Sequence, residues 1–217
     1  MASIKGKKIV VIGGNGTLGS AAVEAAATAG ADVTILSRKA TAPKGAAAVQ
    51  ESITNPVALQ EALRGAAGIV ISVEARRTPE QLKAVYVEGT RNVLDAAPKD
   101  AQVIFMSHIG ITDVERMPDY NRAKLEAEAL IRASGQPYTI VRPSWIVSGG
   151  ERGIKLEQGD RYAGRRDDVS HAELGKTIVA AFENDGARGT TFELYGGGTH
   201  TPLWKDEFSR LKADHQS

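Results

Sequence analysis

Three polar side chains near the middle of the chain have the types and spacing that proton transfer requires. Tyr120 and Lys124 lie four residues apart in a helical pattern, which puts both side chains on one face. A nearby ammonium stabilises an ionised phenol and lowers its pKa, so the phenol exchanges its proton more easily at neutral pH. Ser107 ends an apolar run 13 positions before Tyr120, where its hydroxyl is placed to hold a carbonyl oxygen. The Tyr and Lys alone are also common on amphipathic helices, where Lys124 would simply pair with Glu128.

A glycine-rich turn near the N-terminus has the form of a loop that binds phosphate. Glycines recur at three-residue intervals where a first strand gives way to a first helix. Glycine lets the backbone approach a pyrophosphate closely, and the N–H groups at the helix start favour the anion. A tight strand-to-helix turn is the alternative explanation, but the position inside a βαβ unit favours a dinucleotide. The residues of this loop that we predict to bind the cofactor are Gly13, Asn15, Gly16, Thr17, Leu18 and Gly19.

The end of the second predicted strand indicates which dinucleotide is bound. It reads Leu36-Ser37-Arg38-Lys39 and lacks the acidic residue that binds the ribose 2′-hydroxyl of NAD. Ser37 can donate a hydrogen bond to a 2′-phosphate and Arg38 can pair with it, whereas a carboxylate would repel it. We therefore predict NADP(H) in preference to NAD(H). The alternative interpretation is that Arg38 and Lys39 are ordinary solvated charges of a loop and bind no phosphate.

These residues are positioned by an alternating pattern of strands and helices. The predicted strands are 8–12, 32–36, 68–72, 102–107, 138–141 and 191–194, and the predicted helices are 17–29, 79–97, 119–133, 174–182 and 203–211. Ser170 and Glu173 form a capping box before the fourth of these helices. Strands that are apolar along their whole length indicate a parallel sheet covered on both faces. The predicted fold is α/β, a doubly wound parallel sheet of the Rossmann type.

Length and composition limit the classes of function. A chain of 217 residues with no repeats is expected to form one domain, in which residues 143–217 cover the substrate side of the crevice. With 27 Lys and Arg against 26 Asp and Glu, the formal net charge is +1, so neither nucleic acid nor a membrane is an expected partner. The chain has no cysteine, and its four histidines lack the spacing of metal ligands, so we expect no metal site. No signal peptide or membrane span is evident, which makes the cytoplasm the expected compartment.

Several segments together resemble the short-chain dehydrogenases/reductases, in particular the atypical NmrA-like members that include flavin and biliverdin reductase-like proteins. The matching segments cover nearly all of the chain and are 11–19, 88–97, 138–143 and 169–174, together with Ser107, Tyr120 and Lys124. The resemblance implies that Lys124 also holds the ribose of the cofactor and that Pro143 and Ile146 lie beside the nicotinamide. The predicted cofactor set further includes Ser72 and Val73. The chain departs from the family at Tyr86, where catalytic members carry an asparagine.

The leading hypothesis is an NADP(H)-dependent oxidoreductase that interconverts a small carbonyl compound and its alcohol. Ser107 would hold the carbonyl oxygen and Tyr120 would donate the proton as hydride arrives. The alternatives are an NADP(H)-binding redox sensor without turnover and a nucleotide-sugar epimerase, the latter disfavoured by the small C-terminal segment. His108 adjoins Ser107 and could contact a ligand, although packing is the commoner role for such a histidine. The sequence indicates no oligomeric state.

Overall fold

A mostly parallel eight-stranded sheet forms the centre of the protein. The structure, a computed structural model, describes residues 3–39, 41–43, 45–75, 78–161, 164 and 166–214. Its strands are β1 (Lys8–Ile12), β2 (Asp32–Ser37), β3 (Ala46–Gln50), β4 (Gly68–Ile71), β5 (Gln102–Met106), β6 (Tyr138–Pro143), β7 (Ile146–Val147), β8 (Ile154–Glu157), β9 (Val169–Ser170) and β10 (Thr190–Gly196). The main sheet has the order β3-β2-β1-β4-β5-β6-β10-β8, and β7 pairs with β9 separately. Only β8, at one edge, pairs antiparallel with its neighbour among the described strands of the main sheet.

Helices cover both faces of this sheet. They are α1 (Thr17–Thr28), α2 (Pro56–Leu63), α3 (Pro79–Leu82), α4 (Gly89–Ala96), α5 (Pro118–Ala133), α6 (His171–Glu183) and α7 (Trp204–Ser209). One core joins the sheet to α1 and α6, and the other joins it to α2, α4 and α5. The central strands β1, β4, β5 and β6 are buried almost throughout, as a sheet covered on both faces requires. The predicted doubly wound α/β fold is confirmed.

The elements with strong apolar patterns were predicted closely, and those with weak patterns were missed. The prediction of 8–12 as a strand matches β1 residue for residue, and the capping box of Ser170 and Glu173 starts α6 as expected. The prediction did not include β3, α2 or the short strands β7, β8 and β9. The strand β3 consists largely of alanine and lies half-exposed at the sheet edge, so it carries little of the β-branched signal of a buried strand.

The predicted helix over 79–97 is present but changes its hydrogen-bonding pattern in the middle. Between α3 and α4 the chain forms a π-helical stretch over Lys83–Glu88. Such a stretch adds a residue to the turn and often marks a functional site. Here it contains Tyr86, whose side chain is fully buried.

The C-terminal part contributes mainly to the central sheet and to the helices that cover it. Residues 143–217 supply β8 and β10 to the main sheet and α6 to the face beside α1. Their role as a cover on the substrate side stays a prediction. Among the described residues, no helix combines the length and the apolar character that crossing a bilayer requires. Within the same ranges, no group of three or more His, Asp or Glu side chains is arranged to hold a metal ion.

Candidate active site

A crevice of about 900 Å³ opens at the carboxyl ends of the central strands. This is the edge of a doubly wound sheet where ligands bind, next to the point between β1 and β4 at which the strand order reverses. Ten of the predicted site residues line it: Gly16, Thr17, Leu18, Ser72, Val73, Ser107, Tyr120, Lys124, Pro143 and Ile146. Five predicted cofactor residues are outside this lining: Gly13, Asn15, Gly19, Ser37 and Arg38.

The glycine loop is a turn into which side chains cannot fit. Gly13 has a φ of +86°, and a Cβ there would lie 2.2 Å from the carbonyl oxygen of Ser72. A Cβ at Gly19 would lie 2.3 Å from the carbonyl oxygen of Gly13. Gly16 is the N-cap of α1 and has no side chain to satisfy the first N–H groups of that helix. The turn thus keeps the start of α1 bare beside the crevice, which fits a pyrophosphate.

The end of β2 is joined to the glycine loop by side-chain hydrogen bonds. Asn15 donates through Nδ2 to the backbone oxygen of Thr41 at 2.8 Å and to its Oγ1 at 2.9 Å. The Ser37 hydroxyl donates to Asn15 Oδ1. Arg38 and Lys39 are exposed directly beyond Ser37. Two cations and two polar side chains therefore lie at the end of β2, next to the loop but outside the crevice lining.

Tyr120 and Lys124 lie together on α5 as the spacing predicts. Lys124 is only 2% exposed, and its Nζ donates to the backbone oxygen of Met106 at 3.2 Å. The same Nζ lies 5.4 Å from the centre of the Tyr120 ring. The phenol Oη of Tyr120 donates to the carboxylate of Glu74, at 3.3 Å from Oε1 and 3.4 Å from Oε2. A cation and an anion thus flank the phenol, one buried and one exposed.

Ser107 lines the crevice from the end of β5 but lies deep within it. It is 1% exposed, and its hydroxyl makes no hydrogen bond of normal geometry to another described residue. It lies near Glu128, which Arg142 binds through Nε at 3.1 Å and Nη2 at 2.7 Å. Burial acts to raise the pKa of Glu128, but Arg142, with smaller contributions from Ser107 and Arg132, outweighs burial and lowers it. The Ser107 hydroxyl thus adjoins the Glu128 carboxylate and also lines the crevice that a ligand oxygen would enter.

Tyr86, at the position where the resemblance to short-chain dehydrogenases/reductases implies an asparagine, packs against the catalytic candidates. Its ring meets the Tyr120 ring edge-on, with centroids 5.5 Å apart, and Lys124 Nζ lies 5.1 Å from its centre. Its hydroxyl accepts from the backbone N–H of Ala75 at 3.0 Å and donates to the Ala75 oxygen at 3.3 Å. Burial raises the pKa of Tyr86 far above its usual value, so this phenol stays neutral.

Two residues outside the predicted set contribute to the site. His108 stacks at a tilt on Tyr120, with ring centroids 5.4 Å apart, and its Nδ1 lies 2.8 Å from the backbone oxygen of Ile109. Burial, followed by the charge of Lys124, lowers the pKa of His108. Its adjacency to Ser107 was the available signal in the sequence.

Asp160 holds the loop that follows β5. No motif in the sequence predicted this role. Its carboxylate accepts from the backbone N–H of Gly110 at 2.6 Å, and from the N–H and hydroxyl of Thr112 at 2.8 and 2.7 Å. It is separated from Gly110 by 50 positions along the chain. It therefore holds the loop carrying Ser107 and His108 against the C-terminal part of the protein.

Comparisons with known proteins agree with this geometry. The profile of the NAD(P)H-binding family matches residues 13–185. A search of curated protein sequences gave no match.

Solved structures of similar fold cover most of the chain. A protein from Bacillus halodurans, named as an NAD-dependent epimerase/dehydratase, has a TM-score of 0.79 at 18% identity, with 95% of this chain and 100% of that chain covered. A protein from Streptococcus pneumoniae named as an NADH-flavin reductase has a TM-score of 0.71 at 18% identity, covering 88% and 100%. A short-chain dehydrogenase/reductase from Veillonella parvula in complex with NADP has a TM-score of 0.68 at 18% identity, covering 91% and 99%. At these identities the likeness establishes the fold.

Proposed function

We propose that this chain, which belongs to the NAD(P)H-binding family, is an NADP(H)-dependent oxidoreductase. Its reaction would interconvert a small carbonyl compound and its alcohol. The observation that supports this proposal best is the meeting of Ser107, Tyr120 and Lys124 in one crevice with the bare start of α1. A phenol beside a buried ammonium is suited to proton transfer, and a bare helix start is suited to a pyrophosphate.

Each residue of the crevice has a distinct role in the proposed reaction. The glycine turn and the start of α1 would hold the pyrophosphate, and Pro143 and Ile146 would lie beside the nicotinamide. The bound cofactor supplies hydride to the carbonyl carbon or removes it from the alcohol. Ser107 donates a hydrogen bond to the substrate oxygen, and Tyr120 gives that oxygen its proton. Lys124 stabilises the tyrosinate that is left and, as the family resemblance implies, also holds the cofactor ribose.

The preference for NADP(H) rests on the cations beyond β2. Arg38 and Lys39 are exposed there, and Ser37 supplies a hydroxyl, so a 2′-phosphate would meet complementary charge. We expect NADPH to bind at least tenfold more tightly than NADH in a fluorescence titration, and Arg38→Asp to remove that difference. Lys99→Asp is the control, since it makes the same charge change at an exposed residue before β5, on the amino side of the sheet. Equal affinities in the wild type, unchanged by Arg38→Asp, would contradict the assignment.

Turnover is tested by consumption of NADPH with a panel of aldehydes and ketones that includes 4-nitrobenzaldehyde. Loss of a general acid typically costs a factor of about 10² to 10⁴ in rate. We therefore expect Tyr120→Phe to lower kcat at least a hundredfold while NADPH binding is retained. A loss of less than tenfold with every substrate accepted would rule out Tyr120 as the proton donor.

A redox-sensing protein that binds NADP(H) without turnover is the second candidate. It is favoured by the hydrogen bond from Tyr120 to Glu74, because this bond directs the phenol proton to a carboxylate of the protein itself. The sensor would bind NADPH tightly and turn over no carbonyl compound, and Ser107→Ala and Tyr120→Phe would leave binding unchanged. A cytoplasmic location and a small-molecule partner stay predictions, testable by cell fractionation and by the substrate panel.

A further inference from the structure

We propose that Glu74 carries the Tyr120 proton between the crevice and the solvent. This inference rests on the proposed function, since it assigns the route by which the phenol recovers or releases its proton in each turnover. Glu74 lies in the loop that follows β4. Neither the spacing of the catalytic candidates nor the family resemblance predicts a role for it.

The contacts of Tyr120 lead from its hydroxyl to an exposed carboxylate. Its ring is enclosed by Tyr86 on its edge, by the tilted ring of His108 and by the ammonium of Lys124. The hydroxyl itself donates to both carboxylate oxygens of Glu74, at 3.3 and 3.4 Å. Glu74 is exposed and lines the mouth of the same crevice. A proton passed from Tyr120 to Glu74 therefore reaches water in one further step.

The other titratable groups packed against the phenol are held in different roles. Lys124 is needed as a cation to stabilise the tyrosinate, and its Nζ donates to the Met106 oxygen. His108 directs Nδ1 to the Ile109 oxygen, and its Nε2 is buried. Tyr86 engages the backbone of Ala75 with its hydroxyl, and the pKa of this phenol is raised by burial. Of these three side chains and Glu74, Glu74 is the one that is exposed.

The position of Glu74 is supported by its neighbour. The backbone N–H and oxygen of Ala75 are both bound by the Tyr86 hydroxyl, which holds the segment after β4 against α5 and the π-helical stretch. This anchoring fixes the backbone next to Glu74, so its carboxylate stays within reach of the phenol. Pre-organisation of this kind lowers the cost of bringing a relay group into position.

The proton balance of the relay is complete in both directions. In carbonyl reduction, hydride and its electron pair go to the carbonyl carbon, the Tyr120 O–H bond breaks, and its proton goes to the substrate oxygen. The Glu74 carboxylate then takes a proton from hydronium or a buffer acid and passes it to the tyrosinate, which restores both the phenol and the carboxylate. In alcohol oxidation each proton moves the opposite way, and Glu74 releases it to solvent.

Glu74→Gln tests the relay, because glutamine keeps the shape and an accepting oxygen but cannot carry a proton. With NADPH and 4-nitrobenzaldehyde, or another carbonyl compound of the panel that the wild type reduces, we expect kcat to fall at least tenfold with KM changed less than threefold. Formate and imidazole should restore the rate in proportion to their concentration, while the wild type stays insensitive to them. Glu126→Gln, an exposed carboxylate elsewhere on α5, should behave as the wild type.

A second measurement requires neither substrate nor cofactor. In the ligand-free protein, phenol ionisation is followed by ultraviolet absorbance, and the difference from Tyr120→Phe isolates the signal of Tyr120. Removing the adjacent negative charge should shift this titration to lower pH in Glu74→Gln. Identical titration curves, a higher kcat, or a loss of rate that buffer acids do not restore would each overturn the relay. If Glu74→Gln keeps the wild-type kcat while Tyr120→Phe loses activity, the relay fails and the proposed function stands. Full activity in Tyr120→Phe refutes the proposed function itself.

Discussion

Replacing Glu128 by glutamine should destabilise the protein strongly, because this carboxylate binds two guanidinium groups inside the core. Its Oε2 accepts from Arg142 at 2.7 Å and from Arg132 at 2.8 Å, and its Oε1 accepts from Arg142 at 3.1 Å. The Glu128 side chain is 0% exposed and that of Arg142 is 9% exposed. In the glutamine variant one carboxylate oxygen becomes an amide NH₂, which faces N–H donors.

The magnitude follows from what is left unpaired. Removing one member of a buried ion pair typically costs about 3 to 5 kcal/mol. Arg142 keeps Glu193 at 3.1 Å and Arg132 keeps Asp214 at 3.2 Å, so we expect the lower part of this range. With an unfolding entropy of about 2.1 cal/mol/K per residue over 217 residues, 3 kcal/mol lowers Tm by roughly 7 °C.

The assay is urea unfolding at pH 7, supported by thermal melting, with Glu88→Gln as the matched control. Glu88 pairs with Arg91 at 3.5 Å, and both side chains are about half exposed, so that loss should be roughly 0 to 1 kcal/mol. A loss of less than about 1 kcal/mol in Glu128→Gln would refute the reasoning that the buried pair stabilises the fold.

Acid provides a further check on the same group, with a definite sign. The folded protein holds the pKa of Glu128 below its unfolded value, so the stabilising contribution is complete above the unfolded value, about 4.3 for a glutamate. The contribution is lost as the pH falls through the lowered folded value. The difference in unfolding free energy between the wild type and Glu128→Gln should therefore shrink from pH 6 towards pH 3. A difference that grows on acidification would contradict the assignment.

Two further substitutions test the turn and the loop that shape the crevice. Gly19→Ala should weaken NADPH binding at least tenfold in a fluorescence titration, because the new Cβ would lie 2.3 Å from the Gly13 oxygen, whereas Gly150→Ala, with open space around it, should have no effect. Asp160→Asn should lower the free energy of unfolding by about 1 to 3 kcal/mol in urea and reduce kcat, since an amide cannot accept all three hydrogen bonds from Gly110 and Thr112. Asp100→Asn, at an exposed position, should change neither quantity, and equal effects in the two aspartate variants would contradict this role for Asp160.

The sequence was informative where one short segment determines both position and chemistry. The glycine spacing predicted a turn that excludes side chains, and the structure places a Cβ at Gly13 or Gly19 within 2.3 Å of backbone oxygens. The four-residue spacing of Tyr120 and Lys124 predicted a shared helix face, and both line the crevice. Local periodicity and the rule that ligands bind at strand ends suffice for such residues.

Contacts between distant segments could not be predicted in this way. Glu74 reaches Tyr120 across 46 positions, and Asp160 reaches Thr112 across 48. Neither residue belongs to a motif, and an exposed glutamate or a loop aspartate is by itself an ordinary surface residue. Their roles follow from how the ends of β4 and β8 pack around the site, which depends on the whole sheet.

Tyr86, where the resemblance implies an asparagine, is part of this long-range packing. An asparagine at position 86 could not fill the space beside the Tyr120 ring, whereas the tyrosine is fully buried there and packs on it edge-on at 5.5 Å. Its hydroxyl also reaches both backbone groups of Ala75, next to Glu74. The same side chain thus packs an aromatic ring against Tyr120 and anchors the backbone next to the exposed carboxylate of Glu74. Tyr86 therefore belongs to the same local arrangement as the hydrogen bond from Tyr120 to Glu74. In this arrangement an exposed carboxylate accepts from the phenol hydroxyl.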